Sequence, residues 1–202
     1  MTDPVATVFV VDDNPRVRRS VCTLLAAAGL PSEAYASTKA FLAAYDPSRP
    51  GCLVLDLVLR GENGLELQDE LRRRKAALPI IVLTAHGTVA ASVRALKGGA
   101  IEFLEKPAQP AKLLAHIRDA LAMDEASRRQ TATRAAVEGR LARLTPRERE
   151  VLNLLVGGKT SKEIATNLGL SVRTVDGYRA RIYLKTESSS VAQLVRVVLG
   201  QG

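Results

Sequence analysis

Over the first 120 residues, short apolar runs alternate with amphipathic stretches of helix length. The runs are VATVFVV (5–11), CLVLDL (52–57), PIIVLTA (79–85) and AIEFLEK (100–106), with a weaker one in PSEAYA (31–36). Between them, VRRSVCTLLAAAG (17–29) stops at Gly29 with Pro31 close behind, and TVAASVRALKGG (88–99) ends in a glycine pair, both helix stop signals. GLELQDELRRRKA (64–76) sets Leu65, Leu67 and Leu71 against charged residues. Strands that are apolar throughout predict a sheet covered on both faces. Five of them alternating with helices predict an α/β fold built on a doubly wound parallel sheet.

The texture changes after that. MDEASRRQTATRAAVEGRLAR, just beyond Ala122, is rich in Ala, Arg and Thr and holds no strand pattern. It predicts a linker that either continues the preceding helix or is partly mobile. From Leu144 the pattern is all helical. TPREREVLNLLVGG has Thr145 as cap, Pro146 in the first turn and Glu148 at the capping-box position. TSKEIATNLG, SVRTVDGYRARIYLK (capped by Ser171) and SSVAQLVRVVLG follow, making four short helices. The expected division is 1–121, a linker at 122–143, and a small all-α domain at 144–202.

Composition sharpens the division. The net charge of +8 is uneven: residues 1–120 hold 15 Lys+Arg against 13 Asp+Glu, and residues 121–202 hold 14 against 8. The smaller part therefore carries most of the positive charge, which points to an anionic partner, most often nucleic acid. Cys22 and Cys52 have no metal-ligand spacing and sit in apolar contexts, as reduced thiols of a cytoplasmic protein do. The opening MTDPVATVFVV reads as neither signal peptide nor membrane span, so no membrane partner is expected.

The first strand ends in two adjacent carboxylates, Asp12 and Asp13, and the third ends in Asp56. In a sheet of order 2-1-3-4-5 those two strands are neighbours, and sites form at their carboxyl ends. Three carboxylates in one cleft require a cation among them, and a hard divalent ion with oxygen ligands, Mg2+, is the natural one. Thr84 ends the fourth strand with a hydroxyl, and Lys106 follows the fifth with an ammonium, beside Pro107. Acid pair, acid, hydroxyl and ammonium on one rim suit an acyl phosphate: a carboxylate nucleophile, charges that neutralise the phosphoryl group, and a hydroxyl that senses it.

VVDD (10–13), LVLDL (53–57), Gly64, LTAHG (83–87) and AIEFLEKP (100–107) resemble the receiver domain of two-component response regulators. The resemblance implies a CheY-like fold in which Asp56 accepts a phosphoryl group from a sensor histidine kinase. It implies Mg2+ held by Asp13, Asp56 and the backbone carbonyl of Val58, with Asp12 helping through water. Thr84 and Phe103 match the switch hydroxyl and aromatic, and Lys106 the lysine that bonds a phosphoryl oxygen. The pattern departs at Leu59 and Arg60, where the family usually has Met-Pro. Arg60 is expected to loosen the loop beside the acceptor, to add positive charge there, and to alter phosphorylation or dephosphorylation rates without abolishing function.

LTPREREVLNLL (144–155), KTSKEIATNLGLS (159–171), RTV (173–175) and Lys185 resemble the LuxR-type helix-turn-helix domain. The pairing resembles the NarL/FixJ class, on the FixJ side. Spacing independently predicts a scaffold helix, a turn and a recognition helix, with Val175, Tyr178 and Ile182 packing inward. The other faces present Arg173, Thr174, Asp176, Gly177, Arg179, Ala180, Arg181 and Lys185, with Lys159 and Lys162 at the start of the preceding helix. Arginine and lysine suit phosphates or guanine edges, and Asp176 suits cytosine. Gly177 costs about 1 kcal/mol in helix propensity against Ala and offers no side chain for readout. Tyr178 stands where the family often has His.

Other readings are weaker. GGKTS (157–161) lacks the first glycine of a phosphate loop, since position 153 is Asn. A haloacid-dehalogenase-like phosphatase needs a second Asp where Val58 stands. The chain reads as no enzyme, although it accepts a phosphoryl group on Asp56 and can autodephosphorylate. The expectation is a DNA-binding transcriptional regulator that dimerises on phosphorylation, with a sensor kinase, double-stranded DNA and RNA polymerase as partners. The competing readings are a phosphorylation-independent DNA binder and a receiver that acts only as an interaction module.

Overall fold

The structure, a computed structural model, describes residues 5–199. The outer ends of the expected domains, 1–4 and 200–202, lie outside the described residues. Packing divides the chain into two units at Arg128/Arg129.

The first unit is a five-stranded parallel sheet: β1 (Thr7–Val11), β2 (Ser32–Tyr35), β3 (Gly51–Leu55), β6 (Ile80–Thr84) and β7 (Ala100–Glu105). Its spatial order is β2-β1-β3-β6-β7, the order expected once a small hairpin, β4 (Val58–Leu59) and β5 (Glu62–Asn63), is set aside. Successive strand residues point to opposite faces, and both faces are apolar. Phe9, Val11, Leu53, Leu55, Ile80 and Val82 face one core. There they meet Phe41 of α2 (Thr38–Ala44), Leu67 and Leu71 of α3 (Gly64–Arg73) and Ala95 of α4 (Val89–Lys97). Val8, Val10, Cys52, Val54, Ile81 and Leu83 face the other, against Val21 and Leu25 of α1 (Pro15–Ala27) and Leu113 and Ile117 of α5 (Pro110–Ala142). Each fully buried Leu, Val or Phe contributes about 1.5–3 kcal/mol. Burial pushes the Cys52 thiol up to about 12, so it stays protonated and inert.

Side-chain caps set the helix starts that border the site. Asn14 accepts from the Arg16 N–H, Asn63 from Leu65 and Thr88 from Ala91. Helix α5 is continuous through the expected linker. Its Asp124, 1% exposed, accepts from the Gly51 N–H at 2.9 Å and from Arg128 Nε at 2.8 Å. Arg128 also donates to the carbonyls of Pro47, Ser48 and Arg49. One acid and one arginine thus satisfy the loop that leads into β3 and hold residues 124–128 to it.

The second unit packs α6 (Pro146–Val156), α7 (Ser161–Leu168), α8 (Val172–Thr186) and α9 (Val191–Val198) around Val151, Leu155, Ile164, Val175, Ile182 and Leu194. Complete capping boxes at Thr145/Glu148 and Thr160/Glu163 start α6 and α7. Gly169, in the left-handed region at φ 65°, ends α7 and opens the short turn to Ser171, the cap of α8. Val175 and Ile182 are buried and Tyr178 is half-buried against the same core, the inward face the spacing predicts. Among the described residues no helix is long and apolar enough to cross a membrane.

Asp124→Ala leaves the Gly51 N–H and the Arg128 Nε without their acceptor. It is expected to cost the first unit about 2–4 kcal/mol, read as faster hydrogen exchange at the Gly51 and Cys52 amides. Unchanged exchange there would show that the contact is dispensable.

Candidate functional site

Strand register builds the first site. Val11 pairs with Leu55 across β1 and β3, so the next residues, Asp12 and Asp56, leave the sheet side by side. Backbone bonds fix both exits: Asp56 N–H donates to Val11 O at 2.9 Å and Asp12 N–H to Tyr35 O at 3.2 Å. Asp12, Asp13 and Asp56 each offer a carboxylate oxygen within 4.8 Å of the others. Asp12 and Asp56 are buried and Asp13 is partly exposed. An all-oxygen, anionic donor set of this size fits a hard divalent cation.

Lys106 leaves β7 at the same rim. Its backbone N–H donates to Thr84 O at 2.8 Å, and its Nζ donates to Asp12 Oδ2 at 2.6 Å and Asp56 Oδ2 at 2.5 Å. Burial alone pulls the ammonium's pKa down. The hydrogen bonds and charges of Asp12 and Asp56 outweigh it and hold the pKa above the ordinary lysine value. Thr84 is fully buried, and its hydroxyl accepts from the His86 N–H at 3.3 Å. Phe103 is half-buried and packs against the α2–α3–α4 side of the sheet. Val58 donates its N–H to Asp56 Oδ1 at 3.1 Å.

The loop after Asp56 is closed more firmly than Arg60 led the sequence reading to expect. Leu59 pairs with Glu62 around a two-residue turn, with Gly61 at φ 72°. Glu62 accepts from both the N–H and the hydroxyl of Thr38 at 2.6 Å. Gly64 lies so close to the chain leaving β3 that a Cβ there would fall 2.3 Å from the Asp56 carbonyl oxygen. Arg60 Nε lies 3.3 Å from Asp13 Oδ2.

The second site is the exposed side of α7 and α8. Lys159, Lys162, Arg173, Thr174, Asp176, Ala180 and Arg181 are exposed. Lys159 faces Glu163 at 3.6 Å. Asp176 accepts from the Ser161 hydroxyl at 2.9 Å, and Arg179 donates to the same Ser161 oxygen. Gly177 borders open space, where a Cβ would meet nothing within 4 Å. Lys185 and Arg181 are engaged from within the unit. Buried Glu148 lies 2.6 Å from Lys185 Nζ and 3.4 Å from Arg181 Nε, and the Arg181 guanidinium also covers the Tyr178 ring at 4.7 Å. The hydrogen bond from Lys185 outweighs burial and, with bonds from Thr145, holds the Glu148 pKa below the usual glutamate range. The sequence alone does not signal this acid's second role, because its partner Lys185 lies 37 residues away on another helix.

Comparison with known proteins matches each part of the chain to a family. Residues 8–118 match the response regulator receiver domain, and residues 142–198 match the bacterial regulatory proteins of the luxR family. The chain is 43% identical over 195 residues to the transcriptional regulatory protein FixJ of Azorhizobium caulinodans, covering 96% of this chain and 92% of the relative. It is 32% identical to the response regulator protein TodT of Pseudomonas putida over 98% of this chain and 87% of the relative. Among solved structures, the response regulator StyR superposes with a TM-score of 0.92 at 39% identity, covering 96% of this chain and 98% of that one.

Because the Glu148 pKa is depressed, the stability this residue contributes is present above the ordinary glutamate pKa of about 4.3 and is lost as pH falls through the lower folded value. Glu148→Gln is expected to lower the second unit's stability at neutral pH and to flatten its loss in acid, as followed by urea unfolding across pH. An unchanged acid limb would contradict this role.

Proposed function

The chain belongs to the two-component response regulators, with a receiver joined to a LuxR-type DNA-binding domain, and we propose that phosphorylation of Asp56 by a sensor histidine kinase switches it. The chain is a transcriptional response regulator; the residues that operate it are our assignment. The observation that carries the assignment is the convergence, set by strand register, of Asp12, Asp13, Asp56, Thr84 and Lys106 on one rim.

The Asp56 carboxylate oxygen attacks phosphorus of the kinase's phosphohistidine. The new O–P bond is an acyl phosphate, the N–P bond breaks, and the imidazole leaves with its electron pair. Asp13, Asp56 and the Val58 carbonyl, with Asp12 through water, would hold Mg2+, which supplies positive charge to the incoming phosphoryl oxygens. Lys106 moves its ammonium from the Asp56 carboxylate to a phosphoryl oxygen. The Thr84 hydroxyl turns to the same group, and Phe103 repacks inward. A groove of about 740 Å³ lined by Arg16, Ser20, Leu24, Lys106, Pro107 and Leu113 supports docking of the kinase beside the acceptor.

Val89, Val93 and Leu96 leave apolar area exposed on α4, and this supports pairing of two phosphorylated receivers there. The functional division is receiver 1–121, linker 122–143 and DNA-binding domain 144–202. Arg173 and Lys162, which have no carboxylate partner among the described residues, are available for phosphate or base contacts, with Lys159, Thr174, Asp176, Gly177, Arg179, Ala180 and Arg181 around them. Lys185 serves by holding α8 to Glu148 and adds charge at the rim. The reading is of a cytoplasmic regulator with RNA polymerase as a downstream partner.

With acetyl phosphate and Mg2+, the full chain is expected to gain one phosphoryl group by intact mass. Asp56→Asn should gain none, and chelation of the metal should prevent the reaction. Equal labelling of Asp56→Asn would place the acceptor elsewhere.

A further inference from the structure

The three acids are not equally paired. Lys106 binds Asp12 and Asp56 and leaves Asp13 to another cation. That cation is Arg60, whose Nε lies 3.3 Å from Asp13 Oδ2. Arg60 is the first residue of the two-residue turn closing the β4–β5 hairpin, and Gly61 is the second, at φ 72°. Proline suits the first position of such a turn, since its ring presets φ. An arginine adds nothing to the turn's geometry, and the hairpin is anchored without proline by the two bonds from Thr38 to Glu62. The side chain at position 60 is therefore free to serve the acidic site, and its guanidinium reaches back to the carboxylate at the end of β1.

We propose that Arg60 is a resident cation that competes with the divalent metal for Asp13, so that metal entry displaces the guanidinium and the site demands more metal than its three carboxylates alone would. The inference rests on the metal site assigned above. Its physics is simple. A metal ligand must offer a lone pair, Arg60 already draws on the Asp13 carboxylate, and a guanidinium beside a dication is repelled by it. Arg60 is 91% exposed, so the competition is mild and strongly screened by salt. Phosphoryl transfer that needs the metal then becomes sensitive to both metal concentration and ionic strength.

The test is Mg2+ titration of the full chain by calorimetry and by amide shifts of Asp13 and Gly61, comparing wild type, Arg60→Gln and Arg60→Lys. The Thr38 amide shift reports that the hairpin stays closed. At low ionic strength, Arg60→Gln is expected to bind Mg2+ about two- to five-fold more tightly than wild type. Arg60→Lys should stay near wild type, and the gap should close at high salt. Equal or weaker binding by Arg60→Gln would overturn the proposal and make Arg60 a bystander or a positioning residue for Asp13. If no variant binds Mg2+, the metal assignment fails and the competition fails with it. That outcome differs visibly from equal binding by all three.

Discussion

Three carboxylates at the ends of two adjacent strands need positive charge, and Lys106 supplies the first of it. Two acid charges within 4.8 Å of each other repel by roughly 3 kcal/mol or more at an effective dielectric near 20. The register that sets Asp12 beside Asp56 is also what buries β1 and β3 on both faces, so the repulsion cannot be relieved by letting the strands drift. It is relieved by a lysine delivered from the end of β7, two strands away, whose backbone is itself tied to Thr84. Any group that adds negative charge at Asp56, or positive charge at Asp13, must renegotiate these bonds. A phosphoryl group on Asp56, as proposed above, would rearrange these contacts.

The sheet and its chemistry were largely legible in the sequence. The three central strands, buried on both faces, write continuous apolar runs, while the edge strand β2 buries none of its four residues and left only the weak run PSEAYA. Asp12, Asp13, Asp56, Thr84 and Lys106 could still be placed at strand ends. What escaped was short or long-range. Helix α2 spans seven residues and buries little besides Phe41 and Thr38, too few for a periodic signal. The β4–β5 hairpin has two residues per strand. The Asp124 contact to Gly51 crosses 73 positions, and the reach of Arg60 to Asp13 depends on how the hairpin folds back. No local pattern encodes either.

The helical unit shows the same limit from the other side. Its four helices, the Thr145/Glu148 capping box and the inward face of α8 followed from the sequence pattern; the second box, Thr160/Glu163, did not. The division of labour among its cations did not. Lys185 and Arg181 look like nucleic-acid contacts from the sequence, yet they share buried Glu148. Arg173 and Lys162 carry no such partner among the described residues. Glu148 thus engages the C-terminal half of α8, Ser161 bonds Asp176 and Arg179 nearer its middle, and Arg173 in its first turn is left for other partners.

The central claim is that charge at Asp56 controls DNA binding by the whole chain. The most direct test measures size and DNA affinity together on the full chain, with Mg2+ and a beryllofluoride phosphoryl mimic present or absent, for wild type and Asp56→Asn. The account expects the mimic to convert wild type to a dimer with tighter DNA binding and to leave Asp56→Asn unchanged. A wild-type protein that is already dimeric and binds DNA equally well without the mimic would contradict it.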